Sequence, residues 1–140
     1  MARINANDLK LQTPMAGTFG NLCYAQGAKT LSAASNGDVL GLVRLPAFTR
    51  LIDATLWAVG STGSLTGRLG YLPVDGSAGD DDFFIAAGLN ISGAGRHRAA
   101  QSLAPIVVEK EFDVVLTLAG ANIASARTFT VGVLYEYLNR

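Results

Sequence analysis

The feature that most constrains this sequence is a set of short apolar segments in which residues alternate between two faces. The clearest segment runs from Arg50 to Val59. One face would carry Leu51, Asp53, Thr55, Trp57 and Val59, and the other Ile52, Ala54, Leu56 and Ala58. Because side chains of a β-strand point alternately to opposite faces, a period of two residues predicts a strand here.

Seven further segments have the same character, rich in Val, Leu, Ile, Thr and aromatic residues. They are Thr18–Ala25, Val39–Leu45, Ser64–Leu72, Phe83–Ala87, Ile106–Val108, Phe112–Leu118 and Arg127–Leu138. Gly, Asn, Asp and Pro residues separate them, and turns are predicted at Gln26–Lys29 and Ser35–Asp38. Helical periodicity is scarce, so we expect less than about 10% helix.

The sequence therefore predicts an all-β fold, an antiparallel two-sheet sandwich of the jelly-roll kind with about seven or eight strands. The expected core includes Ile52, Leu56, Leu116 and Val131. Residues 1–15 are predicted to be an extended N-terminal arm and residues 16–140 a single β-sandwich domain. Met1–Thr13 is mostly polar, so we expect it to be mobile in the isolated domain and to become ordered against a neighbour.

Composition points to a protein that binds other proteins. Only 16% of the residues are charged, against about 25% in an average globular protein. Some apolar surface is therefore expected to be covered by a partner. The formal net charge is zero, whereas nucleic-acid binding relies on a basic excess, so we expect no nucleic-acid partner. No apolar stretch reaches the length of a transmembrane helix and no signal peptide is predicted, so we expect no membrane partner.

The last strand leaves two interpretations open. Val133–Leu138 is apolar on both faces except at Glu136. Either a neighbouring subunit covers this segment, or the strand is central in its sheet. With the apolar residues of the arm, this segment supplies the candidate partner-binding residues, which are Ile4, Leu9, Leu11, Tyr135, Tyr137 and Leu138.

The sequence offers no convincing catalytic, cofactor-binding or metal-binding set. His97 is the only histidine, and we expect it in a solvated loop. Cys23 is the only cysteine, and we expect it to be a small buried residue. The carboxylates of Asp75–Asp82 lack the alternating spacing of a calcium loop, which leaves a loose Ca²⁺ site as the minor interpretation. Trp57 is expected in the core rather than as a stacking platform.

Four segments carry a resemblance to a known family. They are GLVRLPAFTRLIDATLWAVG (Gly41–Gly60), TGRLGYLPVDG (Thr66–Gly76), DDDFFIAAGLN (Asp80–Asn90) and FDVVLTLAGANIASARTFTVGVLYEYL (Phe112–Leu138). In this order they resemble the capsid cement (decoration) proteins of tailed phages, of the kind found in a Bordetella podophage, over about Asp38–Leu138.

The resemblance implies a jelly-roll-like structural protein without enzymatic activity. It would be assembled in the host cytoplasm and lie on the outer capsid surface of the virion. Its partners would be the major capsid protein, whose subunits it staples together, and further copies of itself, expected to be dimers. The alternative is a carbohydrate- or receptor-binding β-sandwich module, which requires an aromatic and carboxylate cluster around Trp57 or Tyr71. A cupin-like enzyme would need two or three metal-binding histidines.

Overall fold

The computed structural model describes residues 3–5, 22–60, 63–100 and 103–138, which contain ten β-strands and no helix. The strands are β1 Arg3–Asn5, β2 Leu22–Leu31, β3 Val39–Leu45, β4 Thr49–Val59, β5 Thr66–Pro73, β6 Asp80–Asn90, β7 Gly95–Arg98, β8 Ile106–Val108, β9 Phe112–Ala119 and β10 Arg127–Tyr137.

The strands form two sheets that pack face to face. One sheet has the order β2-β10-β4-β7, and β8 also pairs with β4. The other has the order β1-β3-β9-β5-β6, in which only the β1–β3 pair is parallel. Without β1, the two sheets have the orders β2-β10-β4-β7 and β3-β9-β5-β6. The chain crosses between them at every connection except β5–β6 and β7–β8, which is the jelly-roll connectivity. The predicted antiparallel sandwich is therefore confirmed, with β1 and β7 as strands that the sequence pattern did not predict.

The core lies between the two sheets, and the sequence pattern predicted most of it. Leu56, Leu116 and Val131 are completely buried, as expected. Ile52 is only half-buried, because the register between β4 and β10 shifts there and leaves Ile52 without a paired residue. Such a bulge reverses the alternation, so Leu51 faces the core in its place.

The predicted turn at Gln26–Lys29 is wrong, because these residues lie in the middle of β2. The glycine that suggested a turn has a packing role instead. A Cβ atom at Gly27 would overlap the carbonyl oxygen of Leu42 in β3. Glycine therefore allows the edges of the two sheets to approach closely on this side of the sandwich.

Part of the N-terminal arm pairs with the chain's own sheet. Arg3–Asn5 lies parallel to Val39–Gly41, and Ile4 is half-buried against the core. For these three residues, the expectation that the arm becomes ordered only against a neighbour is wrong. The pairing is between residues more than thirty positions apart, which local sequence patterns do not reveal. The remainder of the arm, including Leu9 and Leu11, lies outside the described residues.

The apolar character of Val133–Leu138 is explained by its position. β10 lies between β2 and β4 and pairs with both along most of its length. The second interpretation of this segment, a central strand, is therefore the one the structure supports. Tyr135 is 1% exposed and lies in the core. Its side chain is therefore not available to a partner, although the sequence analysis named it as a candidate partner-binding residue.

Candidate protein-binding surface

The two sheets differ in how much of their outer faces is exposed. On β9, Asp113, Val115 and Thr117 alternate with the core residues and face outward, yet all three are buried. Arg44 donates two hydrogen bonds to the carboxylate of Asp113, at 2.8 and 3.1 Å. These hydrogen bonds raise the pKa of the Arg44 guanidinium. The solvent-facing side of the β2-β10-β4-β7 sheet is by contrast open to solvent. From here on, the term outer face refers to this side of this sheet only.

The outer face holds most of the exposed apolar side chains. Four large hydrophobic side chains are exposed among the described residues, and three of them, Leu22 (62%), Tyr24 (54%) and Val59 (61%), lie here. Half-buried Leu134 lies directly opposite Tyr24 on the neighbouring strand. The ring of Tyr24 also lies over Gly132, since a Cβ atom there would overlap the Tyr24 hydroxyl. Rigid aromatic and apolar groups of this kind are common in protein interfaces.

Trp57 lies on the outer face, near the end of β4 and beside the edge strand β7, whereas the sequence interpretation placed it in the core. Leu56 and Ala58 face the core, so the alternation directs Trp57 outward, and it is half-buried. The Arg96 guanidinium lies over its ring, 5.8 Å from the ring centroid. This is a cation–π contact. Trp and Arg are among the residues that contribute most often to binding energy in interfaces.

Two ion pairs also lie on the outer face, and both involve residues that precede Trp57 along β4. Arg50 pairs with Glu136 at 2.5 Å, and Arg98 pairs with Asp53 at 2.9 Å. Exposed pairs of this type contribute about 0–1 kcal/mol each to stability. Both carboxylates of the outer face are thus engaged, and Arg96 forms no ion pair with any described residue. Counted over the described residues, the outer face therefore carries one positive charge in excess.

An open pocket of about 410 Å³ lies beside the Arg98–Asp53 pair. It forms because β7 ends at Arg98 and β8 begins at Ile106, although both pair with β4. The described residues that line it are Ile52, Asp53, Arg98, Ala99, Ala100 and Leu103. The bulge that removed Ile52 from the core therefore places it at an opening in the edge of the sheet.

The sequence-predicted partner residues that the structure describes do not form one surface. Ile4 lies on the other sheet, beside β3, and Tyr135 is in the core. Tyr137 and Leu138 are half-buried at the end of β10, where the Leu138 N–H donates to the Phe48 carbonyl oxygen at 3.0 Å. The residues that do form a surface were missed, although the alternation of Leu22 and Tyr24 with smaller inward residues was a usable signal.

The carboxylate of Asp75, in the loop between β5 and β6, is engaged by neighbouring groups at the surface. Lys110 donates to Asp75 at 2.8 Å, and both the backbone N–H and the hydroxyl of Ser77 also donate to Asp75. These contacts, with Lys110 the largest, hold the pKa of Asp75 well below its usual range. Asp75 is therefore already neutralised by groups of the protein.

The aspartates at the start of β6 do not converge, because successive side chains of a strand point to opposite faces. Asp81 accepts from Arg68 at 2.8 Å and from the Thr117 hydroxyl at 2.9 Å. The side chain of Asp80 accepts from the N–H of Asp82 at 3.3 Å, and partial burial is the main cause that raises the pKa of Asp80. Within the described residues, no three potential ligands gather at one point that could hold a metal ion.

The other candidate residues occupy structural positions. His97 is half-buried in β7 opposite Leu56, and so lies in a strand rather than in the loop that was expected. Cys23 is half-buried in β2 opposite Tyr135. Tyr71, named for the carbohydrate-binding alternative, packs edge to face against Phe83 and Phe112, at centroid distances of 5.8 and 5.6 Å. This alternative is not favoured, since Trp57 is covered by an arginine rather than flanked by an open carboxylate cluster.

A buried arginine at the start of β10 was not anticipated from the sequence. Arg127 is 1% exposed, and its guanidinium donates to the carbonyl oxygens of Ile91, Ser92 and Gly93. Desolvation lowers its pKa, and it lies 5.4 Å from the Phe129 ring centroid. The available signal was a charged residue at the start of a strongly apolar strand. Arg127 fixes the loop that leads into β7, which carries Arg96.

Among the described residues there is no helix of the length and apolarity needed to cross a membrane.

No protein family matches the sequence, and no curated protein matches it. Among solved structures, the chain is similar to a chain in the capsid of Ralstonia phage GP4, with a TM-score of 0.80 and 22% identity over 99% of both chains. It is also similar to a chain of the cyanophage Pam1 capsid asymmetric unit, with a TM-score of 0.63 and 19% identity over 91% of this chain and 92% of that one. A chain from the acid-stable capsid of Helicobacter pylori bacteriophage KHP30 has a TM-score of 0.55 and 17% identity, covering 83% and 91%. The chain therefore has a fold that occurs in chains of phage capsid structures.

Proposed function

We propose that this chain is a structural, non-enzymatic virion protein of a tailed phage that binds the outer surface of the capsid as a cement protein. The observation that carries the proposal is the similarity to a chain of the Ralstonia phage GP4 capsid over 99% of both chains. Agreement over the whole length means that the two chains share their size as well as their fold.

The exposed apolar groups support a binding role. An isolated soluble domain gains nothing from leaving Leu22, Tyr24 and Val59 open to water. Burial against a partner would stabilise the complex by roughly 25 cal/mol for each Å² of apolar surface removed from water. In our proposal the partner is the major capsid protein, and each copy bridges neighbouring subunits.

The proposal includes contacts between copies of the chain, expected as dimers. Ile4, Leu9, Leu11, Tyr137 and Leu138 remain candidates for these or for capsid contacts. Because symmetry repeats each contact many times over a particle, individually weak contacts add up to a large resistance against expansion of the shell.

Co-sedimentation tests the proposal directly. Procapsids of the phage that encodes the chain are assembled without it, incubated with the purified protein, and pelleted. We expect saturable binding, and we expect decorated particles to withstand heating that opens bare ones. Procapsids of an unrelated phage are the control and should not retain the protein. If the encoding phage's particles also fail to retain it, the proposed function is wrong.

A further inference from the structure

We propose that the outer face is the surface through which this chain binds its partner, and that the Trp57–Arg96 contact is part of this surface. We further propose that the partner is a different protein that presents a carboxylate opposite Arg96, rather than a second copy in a two-fold arrangement. This proposal rests on the proposed function and names the surface that performs it.

Accessibility selects this face from the two that the sandwich offers. On the opposite sheet the outward residues Asp113 and Val115 are buried within the chain itself. On the outer face, Leu22, Tyr24 and Val59 are more than half exposed. They lie on β2 and β4, on either side of β10, so an approaching surface can cover all of them together.

Charge selects the kind of partner. Glu136 and Asp53 are already paired with Arg50 and Arg98, which leaves Arg96 as the excess cation among the described residues of the outer face. If two copies met through this face about a two-fold axis, the assembled interface would contain two excess cations and no spare carboxylate. Buried charges require an opposite charge in the interface. A partner with a carboxylate supplies this opposite charge. Such a partner is therefore more complementary to the outer face than a second copy of the chain would be.

Size indicates how strong one contact can be. Four strands about 4.8 Å apart and segments of about nine residues at 3.4 Å per residue give a face of roughly 15 by 30 Å. This is on the order of 450 Å², compared with about 800 Å² per partner in a typical stable interface. A single copy is therefore expected to bind a single partner subunit weakly. Firm binding requires several contacts at once, as an assembled shell provides.

The pocket beside Arg98 adds an apolar binding site at the edge of the outer face. Ile52, Ala99 and Leu103 line it, next to the Arg98–Asp53 pair. An apolar side chain of the partner can enter this opening at the interrupted edge of β4, while the partner's carboxylate pairs with Arg96. The partner surface is thus defined by an apolar side chain next to an acidic group.

A charge-reversal pair tests the proposal. Arg96→Glu is expected to weaken binding to the same procapsids by about tenfold or more, because the excess charge of the face changes sign. Lys110→Glu is the matched control, since Lys110 is an exposed residue of the β8–β9 turn and pairs only with surface Asp75 among the described residues. It should bind within about twofold of the wild type, and raised salt should weaken the wild type more than Arg96→Glu.

The only tryptophan of the chain gives an independent readout. Protein labelled with 5-hydroxytryptophan can be excited selectively in the presence of capsid tryptophans. Acrylamide quenching of Trp57 should fall severalfold when the protein is on particles, and should not change with protein concentration in solution. Unchanged quenching on particles would show that another surface makes the contact.

The remaining outcomes separate this proposal from the proposed function. If the wild type is retained and Arg96→Glu is retained equally, the function stands and the assigned face is wrong. If the wild type forms a dimer in solution that Arg96→Glu abolishes while particle binding persists, the face joins two copies and the proposal is overturned. If the wild type is not retained at all, both proposals fail together.

Discussion

Replacing Arg127 by methionine tests how much of the stability depends on the buried guanidinium. Its three carbonyl acceptors lie in the loop Ile91–Gly93. Hydrogen bonds from a charged donor contribute about 1.5–3 kcal/mol each, or roughly 4.5–9 kcal/mol for the three together. Methionine, however, removes a charge whose desolvation costs several kcal/mol. We therefore expect a net loss of about 3–4 kcal/mol in the free energy of unfolding.

Urea denaturation measures this loss, with thermal unfolding as a second observable. For a domain of this length each kcal/mol corresponds to about 3–4 °C, so the melting temperature should fall by roughly 10–15 °C. Arg127→Lys keeps the charge, but lysine lacks the planar guanidinium group that reaches all three carbonyl groups. An intermediate loss of stability is therefore expected.

Arg50→Met is the matched control for the change in side-chain type. Arg50 forms an ion pair with Glu136 at the surface, so its loss should cost no more than about 1 kcal/mol. If the free energy of unfolding of Arg127→Met lies within about 1 kcal/mol of the wild-type value, the three hydrogen bonds only compensate the cost of burying the charge. The reasoning about this loop would then be incorrect.

Three further predictions concern other parts of the fold. Gly27→Val should destabilise the domain by about 2–4 kcal/mol in urea, because its side chain would meet the backbone at Leu42. Gly63→Ala, at a position with open space around it and no positive φ, should cost less than about 1 kcal/mol. Chelator treatment should leave the melting temperature and particle binding unchanged, and a fall of several degrees in EDTA would show that Asp75–Asp82 binds Ca²⁺. Deleting Met1–Thr13 should lower the free energy of unfolding by about 1–2 kcal/mol, since Ile4 packs against the core. The deletion should also weaken retention on particles. If the shortened domain no longer folds, the arm belongs to the core.

The sequence predicted the sandwich because its central strands have an unambiguous pattern. β4 and β10 are each eleven residues long, and their alternation can be read without knowledge of their neighbours. In both, inward residues such as Leu56 and Val131 are buried as expected. A period of two residues is a local property, so local sequence is sufficient to predict it.

The features that were missed depend on contacts with distant strands. The bulge at Ile52 is defined by the register of β4 against β10, and the close approach at Gly27 by the position of β3. The pairing of Arg3–Asn5 with β3 is equally non-local. None of these contacts changes the hydrophobic pattern of the segment in which it occurs, so the pattern cannot reveal them.

The binding surface was missed for a related reason. Trp57 was expected in the core because a large aromatic residue in an apolar strand is usually buried. Its exposure depends on which of two apolar faces turns inward, and both faces of β4 contain large side chains. Arg96 approaches Trp57 only because β7 pairs with β4 at that position. Composition did indicate that apolar surface would be exposed, but it could not say where.

Arg127 and Arg96 connect the stability of the fold to the proposed binding surface. Arg127 holds the carbonyl groups of Ile91–Gly93, and Arg96 follows this loop by three residues. β7 has only four residues and pairs on one side, with β4, so its own hydrogen bonds hold it weakly. Loss of the Arg127 contacts would therefore free β7 before the sandwich itself unfolds. For this reason Arg127→Met should weaken particle binding even at temperatures where the domain remains fully folded.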